Sequence, residues 1–456
     1  MHQLETLTTE IANLAWGPWL LVLLIGGGIY FLIRSQFTPY RHIRHAIDLV
    51  RGRYDDPDDP GHIPHRRALA TALAGTIGMG NIAGVAIALQ LAGPGAIFWM
   101  WLTALVGMAT KFFTCTLAVM YRGEDSEGAL QGGPMYVIRE GLPKSMHFLA
   151  YGFAVVGMIG CLPALQANQL IQALRDLLYI KNGFLPADAD PFFFNLTTGV
   201  ALATLTALII FGGLQRIARI TASLVPLMSI AYVSSALLAI LFNLDAVIRA
   251  FALILHDAFT GEALAGGSVL AVILYGVRRG AYSNEAGIGT ESMAHGAART
   301  REPVREGLVA MLGPVLDTLI VCTMTALMIL MAGNWQGDAE GVTMTAEAFG
   351  VLLGPLGEWL VLVVVVCFAS TTIFTYSFYG GQCASFLFGV GGTKWYRLAF
   401  ILFIAVAGII SMNTAINLID ICFALMAIPT MVSTLYLAPR VSAAAKDYWA
   451  KMERTA

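Results

Sequence analysis

Long apolar stretches alternate with short polar segments along almost the whole chain. A helix needs about 20 mostly apolar residues to cross the hydrocarbon core of a bilayer. Eleven stretches approach or exceed this length, and the seventh and ninth of them contain helix-breaking interruptions. The pattern therefore predicts eleven transmembrane spans, which in chain order are residues 16–33, 68–92, 96–120, 146–170, 196–211, 220–242, 263–295, 309–331, 351–388, 396–410 and 416–437.

The composition agrees with a membrane protein. Hydrophobic residues make up 57% of the chain and charged residues only 12%, whereas a soluble domain carries roughly a quarter charged residues. A soluble fold has too little interior to bury this much apolar surface, but a lipid-facing surface accepts it. The predicted fold class is an all-α polytopic membrane protein. The net charge of −2 gives no indication of a nucleic-acid partner.

The start of the chain and its cysteines exclude two other classes. The first twelve residues contain no Lys or Arg, so they lack the basic region of a cleaved secretory signal. We therefore interpret the first span as a retained helix. The six cysteines lie in apolar surroundings with no CxxC pair, which argues against a disulfide framework or a zinc site.

Basic residues fall almost entirely on one side of the predicted spans. The segment between the first and second spans carries seven arginines, and the loops on the same side continue this excess. The opposite side has only Arg175, Lys181 and Arg249. Because the basic side faces the cytoplasm, we expect the N-terminus outside and the C-terminus in the cytoplasm, in the cell (inner) membrane.

The second span carries four glycines and a polar residue at one depth. Glycine weakens a helix and permits close backbone approach. One interpretation is tight helix packing through small residues. The other, which the sequence favours, is a helix interrupted at residues 77–81 that exposes backbone groups to a solute. The residues concerned are Gly75, Gly78, Gly80, Gly84 and Asn81.

A similar stretch occurs about 200 residues later in the seventh span, with Gly276, Gly280, Gly287 and Gly289. A pair of glycine-interrupted spans at matching positions of two halves indicates an inverted-repeat transporter. The predicted organisation is an N-terminal helix and linker (1–65), two five-helix repeats (66–243 and 244–440) and a cytoplasmic tail (441–456). Two arginines at 278 and 279 would be costly at mid-depth, so either they face a wet vestibule or the break lies elsewhere.

Polar residues inside the other spans are candidates for binding a solute. Gln166 and Asn168 lie in the fourth span, where helix–helix hydrogen bonding is the alternative role. The ninth span offers hydroxyl ligands for a small monovalent cation, although back-bonding to the preceding turn is the alternative. Asp317 could bind a cation, carry a proton or pair with Lys111. The hydroxyl-bearing residues of the ninth span are Ser370, Thr371, Thr372, Thr375 and Tyr376.

Taken together, these motifs resemble those of the alanine or glycine:cation symporter family over nearly the whole chain. No single motif is specific, but the set is. The similar segments are residues 75–86 (GTIGMGNIAGVA), 93–112, 132–136 (GGPMY), 165–168 (LQAN), 283–311, 317–327 and 416–429.

The resemblance implies a LeuT-like fold of two inverted five-helix repeats after an N-terminal helix. It also implies sodium, or sometimes protons, moving inward with a small neutral amino acid, and no enzymatic activity or resident cofactor. The implied solute-binding residues are Gly78, Met79, Gly80, Asn81, Gln166, Asn168, Tyr275, Gly276, Thr375 and Tyr376. The implied sodium ligands are Thr76, Ile77 and Met79 with Ser370, Thr371 and Thr372.

The chain departs from the family where a pocket wall is expected. The family usually has Gly-Thr-Gly-Asn where this chain has Gly78-Met79-Gly80-Asn81. After the hydroxyl cluster, this chain has Thr375-Tyr376 where the family usually has Gly-Trp, and Gly380-Gly381 where it usually has Gly-Glu. We predict a monomeric symporter that takes up an amino acid of the alanine or glycine type with sodium by alternating access. The rival hypotheses are a proton-coupled symporter of the same fold and an amino-acid-gated channel or sensor.

Overall fold

The computed structural model describes residues 2–186, 188–262 and 268–455. Almost all of the first half is helical because its apolar stretches are long and rarely interrupted by proline. The helices of this half are His2–Ala15, Pro18–Leu21, the π-helical Val22–Gly26, Gly27–Arg34, Thr38–Arg41, Ile43–Val50, His65–Thr76, Met79–Ala92, Ala96–Met120, Pro134–Gly141, the short 3-10 helix Lys144–Met146, Phe148–Gly160, Ala164–Ala173, the π-helical Leu174–Ile180, Phe192–Ile210 and Gly213–Phe242.

The second half continues in the same way. The first half also contains a two-stranded antiparallel hairpin, Gly123–Glu124 with Leu130–Gln131, in the loop after the third span. The helices of the second half are Leu244–Thr260, Val269–Asn284, Thr290–Gly296, Pro303–Ala310, the π-helical Val315–Cys322, Thr323–Ala332, Gly341–Leu353, Pro355–Phe388, Val390–Ala407 and Met412–Thr455.

The predicted all-helical, multi-span architecture is confirmed. Within the described residues, nine helices are long and apolar enough to cross a membrane. Thr6–Ala15 and Pro18–Arg34, bent by 42° at their junction, form a further candidate crossing that corresponds to the first span. The predicted seventh span falls on two shorter helices, Val269–Asn284 and Thr290–Gly296. Its first five residues, 263–267, lie outside the described part of the chain.

Three predicted spans differ in detail from the helices of the structure. The fourth span, expected to be continuous, is interrupted between Gly160 and Ala164 because Pro163 cannot supply a backbone N–H. The ninth span is continuous over Pro355–Phe388, and the expected interruption is instead the end of a separate helix, Gly341–Leu353, at Gly354. The eleventh span also continues as one helix through the expected tail.

The second span lies at the centre of the protein. Its first half packs against the sixth and ninth spans, and its second half packs against Val269–Asn284, Thr323–Ala332 and Gly341–Leu353. Small side chains allow this crowding, and almost every residue from Ala68 to Leu89 is buried. Irregular backbone at membrane depth is tolerated when protein surrounds it. The core therefore positions the interruption of this span away from lipid.

Candidate solute and cation site

The second span is interrupted where the sequence predicts. The helix His65–Thr76 ends, Ile77 is extended (φ −78°, ψ 91°), and the helix Met79–Ala92 begins after Gly78. A Cβ at Gly78 would overlap the hydroxyl oxygen of Thr372 in the ninth span, and a Cβ at Gly80 would lie 2.8 Å from the ring of Tyr282 in the seventh. The two glycines therefore let both neighbouring spans approach the interruption.

Asn81 holds the interruption in shape. The Gly78 N–H donates to its Oδ1 (3.0 Å), while its Nδ2 donates to the carbonyl of Asp317 (2.9 Å) and to the hydroxyl of Ser283 (3.2 Å). The Asn81 carbonyl accepts from the Thr325 hydroxyl at 2.8 Å. Asn81 was predicted as a solute-binding residue, but these bonds already occupy its side chain. They join the second span to the seventh and eighth spans.

The interruption exposes backbone groups of both signs. The last carbonyls of the helix ending at Thr76 lack the donors that a continuing helix would supply, and the first amides of the helix beginning at Met79 lack acceptors. The helix dipoles add partial negative charge at the first end and partial positive charge at the second. Such a pair of helix ends can bind a zwitterion, whose ammonium would lie near the carbonyls and whose carboxylate would lie near the amides. The carbonyl end could also bind a cation.

The ninth span presents hydroxyls to the interruption. Thr372 faces Gly78 and donates to the carbonyl of Phe368 (2.9 Å), and Thr371 donates to the carbonyl of Cys367 (2.9 Å). This is the back-bonding arrangement, but each hydroxyl oxygen keeps lone pairs that can bind a cation. Ser370 precedes Thr372 by two positions, about 200° around the helix, and it is only partly buried. The structure therefore does not bring Ser370 to the interruption.

Several buried polar atoms around the interruption form no hydrogen bond of good geometry among the described residues, although Thr76 lies beside Asp317 and Gln166 lies beside Tyr282. Buried polar groups are normally paired, so a cluster of unpaired ones indicates a place where a polar ligand or water binds. Gly75 places two of them together, because its Cβ would lie 3.4 Å from both the Thr375 side chain and the Tyr379 hydroxyl. The atoms closest to this region are Thr76 Oγ1, Gln166 Oε1, Tyr282 OH, Asp317 Oδ2, Thr375 Oγ1 and Tyr379 OH.

The interruption of the seventh span begins six residues after its arginine pair. Helix Val269–Asn284 ends, and Glu285 (φ 54°), Gly287 (φ 86°) and Gly289 (φ 100°) turn the chain before helix Thr290–Gly296. The Glu285 carboxylate accepts from the Tyr376 hydroxyl (2.6 Å) and from the Thr290 hydroxyl. Tyr376, predicted to bind solute, therefore uses its hydroxyl to join the ninth span to this second interruption.

A lysine and three acids are buried between the two interruptions. The charge of Lys111 acts on the carboxyl groups of Glu285, Glu291 and Asp317. The structure shows no direct ion pair between Asp317 and Lys111, and Asp317 instead accepts from the neighbouring Thr318 hydroxyl. One Asp317 oxygen and one Glu291 oxygen have no hydrogen-bond partner in the described part of the chain. These carboxyls can accept a proton or a cation.

Three predicted solute residues lie away from the interruption. Asn168 donates to the carbonyl of Ile410 (2.7 Å), so it serves helix packing. Gly276 packs against Ala96 of the third span, where a side chain would not fit. Tyr275 lines a small cavity beside the N-terminal helix. For Asn168 this is the helix–helix hydrogen bonding that the sequence left open.

The arginine pair shares one buried carboxylate, that of Asp420. Arg278 contacts Asp420 at 2.6 Å, Arg279 also pairs with Asp420, and Arg278 donates to Asn13 at 3.1 Å. Because the break lies later than Gly276 and Gly280 suggested, these arginines belong to an intact helix. Their cost in the membrane is offset by a partner on the eleventh span.

The sequence reasoning missed several residues that the structure brings together. Tyr282 of the seventh span lies beside Gly80, and Tyr379 of the ninth span lies beside Gly75. Helical spacing from Thr372 to Thr375 to Tyr379 could have indicated the second of them. A second group of buried residues lies where the second span begins and the seventh span ends. There, Glu306 accepts from His295 (2.6 Å) and also contacts His65. These three buried residues join the start of the second span to the end of the seventh.

The fold and this site define a multi-span transporter of the LeuT-like type. The structure is similar to that of MhsT solved in complex with L-phenylalanine, with a TM-score of 0.63 over 85% of this chain and 93% of that chain, at 13% identity. This similarity confirms the predicted fold.

The chain belongs to the sodium:alanine symporter family, whose model matches residues 1–456. It is 38% identical to the sodium/alanine symporter AgcS of Methanococcus maripaludis, over 97% of each chain. It is 40% identical to an uncharacterised transporter of Haemophilus influenzae, over 99% of this chain and 97% of the relative. A probable sodium/glutamine symporter, GlnT of Bacillus subtilis, is 31% identical over 98% of this chain and 91% of the relative.

Family membership confirms the predicted class. The chain is a multi-span membrane protein and a sodium-coupled amino-acid symporter, and neither its family nor its fold is that of an enzyme. Sodium is therefore a co-transported ion, and an amino acid is the solute.

Proposed function

We propose that this symporter moves a small neutral amino acid of the alanine or glycine type inward with sodium, and that both bind at the interruption of the second span. The observation that carries the proposal is the group of unpaired buried polar atoms around Ile77 and Gly78, flanked by two helix ends of opposite polarity. The relatives named for sodium and alanine or glutamine support the same solute class.

The solute carboxylate would accept from the amides of Met79 and Gly80, and its ammonium would lie near the carbonyls that end the preceding helix. Gln166 and Thr375 supply side-chain oxygens without a partner in the described structure. The ring of Tyr282 lies beside Gly80 and that of Tyr379 beside Gly75, and the ring centroids of Tyr376 and Tyr379 are 6.2 Å apart, so buried rings crowd the interruption. This crowding favours a short side chain on the solute.

The sodium ion would bind between the two spans that meet at Gly78. The carbonyls of Thr76 and Ile77 with the hydroxyls of Thr371 and Thr372 form a set of hard oxygen ligands. Sodium bound there would order the interruption before the amino acid arrives, which lowers the entropy that the amino acid must lose. By linkage, the amino acid would raise the affinity for sodium by the same factor.

Alternating access would arise from the motion of one helix bundle against the rest, with the repeats at 66–243 and 244–440. The orientation proposed from the basic loops has the N-terminus outside and the C-terminus in the cytoplasm of the cell (inner) membrane. The monomer would be the functional unit, because the site lies within one chain.

A proton-coupled variant of the same mechanism has one specific observation in its favour. Asp317 and Glu291 each have a carboxyl oxygen without a partner among the described residues, and both lie within the field of Lys111. In this variant, a proton bound to one of these two carboxyl groups would take the place of the sodium ion as the coupling ion.

Uptake by purified protein in liposomes separates these functions. Labelled alanine, glycine and serine are supplied with an inward sodium gradient, with a proton gradient alone, and with neither. Accumulation that needs the sodium gradient is expected. Accumulation driven by the proton gradient alone would favour the variant, and equilibration without accumulation would refute both in favour of a channel.

A further inference from the structure

An apolar groove on the outer face of the bundle reaches the first interruption from the lipid side. Its volume is about 800 Å³, and it lies between the first half of the second span, the sixth span and the π-helical part of the eighth. Leu69, Leu73 and Ile77 form one wall, and Leu316 and Ile320 form part of another. Ile230 on the rim is 67% exposed, so the groove opens outwards and not into the pocket.

The dimensions of the groove match one leaflet of a bilayer. Arg66 and Ile77, its two limits on the second span, are eleven residues apart on a helix, which corresponds to about 16 Å. The hydrocarbon core of a bilayer is about 30 Å thick. The groove therefore runs from the headgroup level of one leaflet to its middle, as one acyl chain does.

A single uncompensated cation lies at the headgroup end. Arg66 lines the groove, is exposed, and forms no ion pair among the described residues. Arg53, in the loop before the second span, donates to Asp48 at 3.0 Å. The guanidinium of Arg66 is thus free to bind a phosphate with two N–H donors. Arg66 also lies on the side that the basic loops identify as cytoplasmic, where anionic lipids attract basic residues.

We infer that this groove is a binding site for an anionic phospholipid, with one acyl chain between the second and sixth spans and the phosphate on Arg66. The inner end of the acyl chain contacts Ile77, the residue at which the second span is interrupted. Pro226, which lies inside the sixth-span helix, lines the opposite wall. A bound lipid would therefore stabilise one position of the broken helix relative to the sixth span.

Native mass spectrometry of the full chain in detergent tests this site without transport. Phosphatidylglycerol and phosphatidylcholine are titrated separately against wild type, Arg66→Gln and Ser234→Trp. Ser234 lies on the exposed rim, so its replacement fills the groove without disturbing the core. The matched controls are Arg219→Gln and Leu238→Trp, which change an exposed charge and an exposed apolar side chain on the same helix outside the groove.

Arg66→Gln should weaken binding of phosphatidylglycerol about fivefold, which corresponds to one basic residue at a membrane surface. It should weaken phosphatidylcholine less, because the choline ammonium already compensates the charge of the phosphate that Arg66 contacts. Ser234→Trp should weaken both lipids, while the two controls should stay within about twofold of wild type. The proposed lipid site would be wrong if Arg66→Gln and Arg219→Gln changed lipid binding equally, or if the two tryptophan variants did. Because binding is measured directly, failure of the proposed transport would not produce either result.

Discussion

The two broken spans have similar glycine-rich sequences, but the polar groups at their interruptions form different numbers of hydrogen bonds. At the first interruption, one side chain, Asn81, holds the backbone, and the surrounding hydroxyls and amide oxygens remain unpaired in the described structure. At the second, the Glu285 carboxylate accepts from two hydroxyls, and the carbonyl of Ile288 accepts from Thr430 at 2.9 Å. The first therefore offers several unpaired oxygens to a ligand, whereas the second forms more bonds of its own, although Asn284 Nδ2 and Glu291 Oε2 beside it also lack partners among the described residues.

This difference indicates that the two interruptions have different functions, although their sequences are alike. A ligand or water can satisfy the unpaired groups of the first interruption, so binding and ordering are coupled there. The second interruption already forms the Tyr376–Glu285 bond between two spans, so it is expected to hold the seventh and ninth spans together. Substitutions at the first should change transport, and substitutions at the second should change stability.

The largest effect is expected for Gly78→Ala. Its Cβ would overlap the Thr372 hydroxyl, so either the interruption widens or Thr372 leaves its bond to Phe368. Sodium-driven alanine uptake in liposomes should fall more than a hundredfold, equivalent to about 3 kcal/mol. The control is Gly84→Ala, whose Cβ meets nothing nearer than 3.8 Å; uptake by Gly78→Ala equal to this control would contradict the site.

Tyr376→Phe should mainly destabilise the protein. The change leaves one oxygen of the buried Glu285 carboxylate without its donor, which costs about 2 kcal/mol. Thermal unfolding in detergent measures this loss, and Ser377→Ala, which removes only a bond to its own helix, is the control. The sodium half-saturation of uptake should stay within about threefold. A normal unfolding temperature combined with a large change in alanine affinity would show that the second interruption binds solute.

Thr372→Ala should raise the sodium concentration for half-maximal uptake about tenfold, corresponding to about 1.4 kcal/mol for one lost oxygen ligand. Thr372→Ser keeps the hydroxyl and should restore most of the affinity. Ser370→Ala, on another face of the same helix, should have no effect on sodium dependence. If Ser370→Ala and Thr372→Ala behave alike, the assignment of the cation site to the face opposite Gly78 is wrong.

The smallest effect on transport is expected for Asn168→Ala. Its amide bonds to the carbonyl of Ile410, away from both interruptions, so the loss should reduce stability by about 1 kcal/mol. Alanine and sodium affinities should remain within twofold of wild type, as measured by the same uptake assay. Gln166→Ala provides the contrast two residues earlier in the helix, because Gln166 has an unpaired oxygen beside the pocket. Equal affinities in both variants would remove Gln166 from the site.

The sequence by itself determined the membrane class, the approximate number of spans and the position of the first interruption. These follow from local properties: apolar length, the distribution of basic residues, and four glycines with Asn81 at one depth. Glycine and proline act on the backbone where they occur, so their effects are readable without a fold. The interruption of the fourth span at Pro163 could have been found by the same reasoning.

Only the tertiary structure decided which polar residues meet. Arg278 and Arg279 find Asp420 about 140 residues away, Tyr376 finds Glu285, and Asn81 is occupied by bonds to the seventh and eighth spans. Within a membrane, a polar side chain must find a partner, but its choice among distant helices depends on how those helices pack. The sequence therefore located the first interruption, while helix packing decided which side chains surround it and which remain free for a ligand.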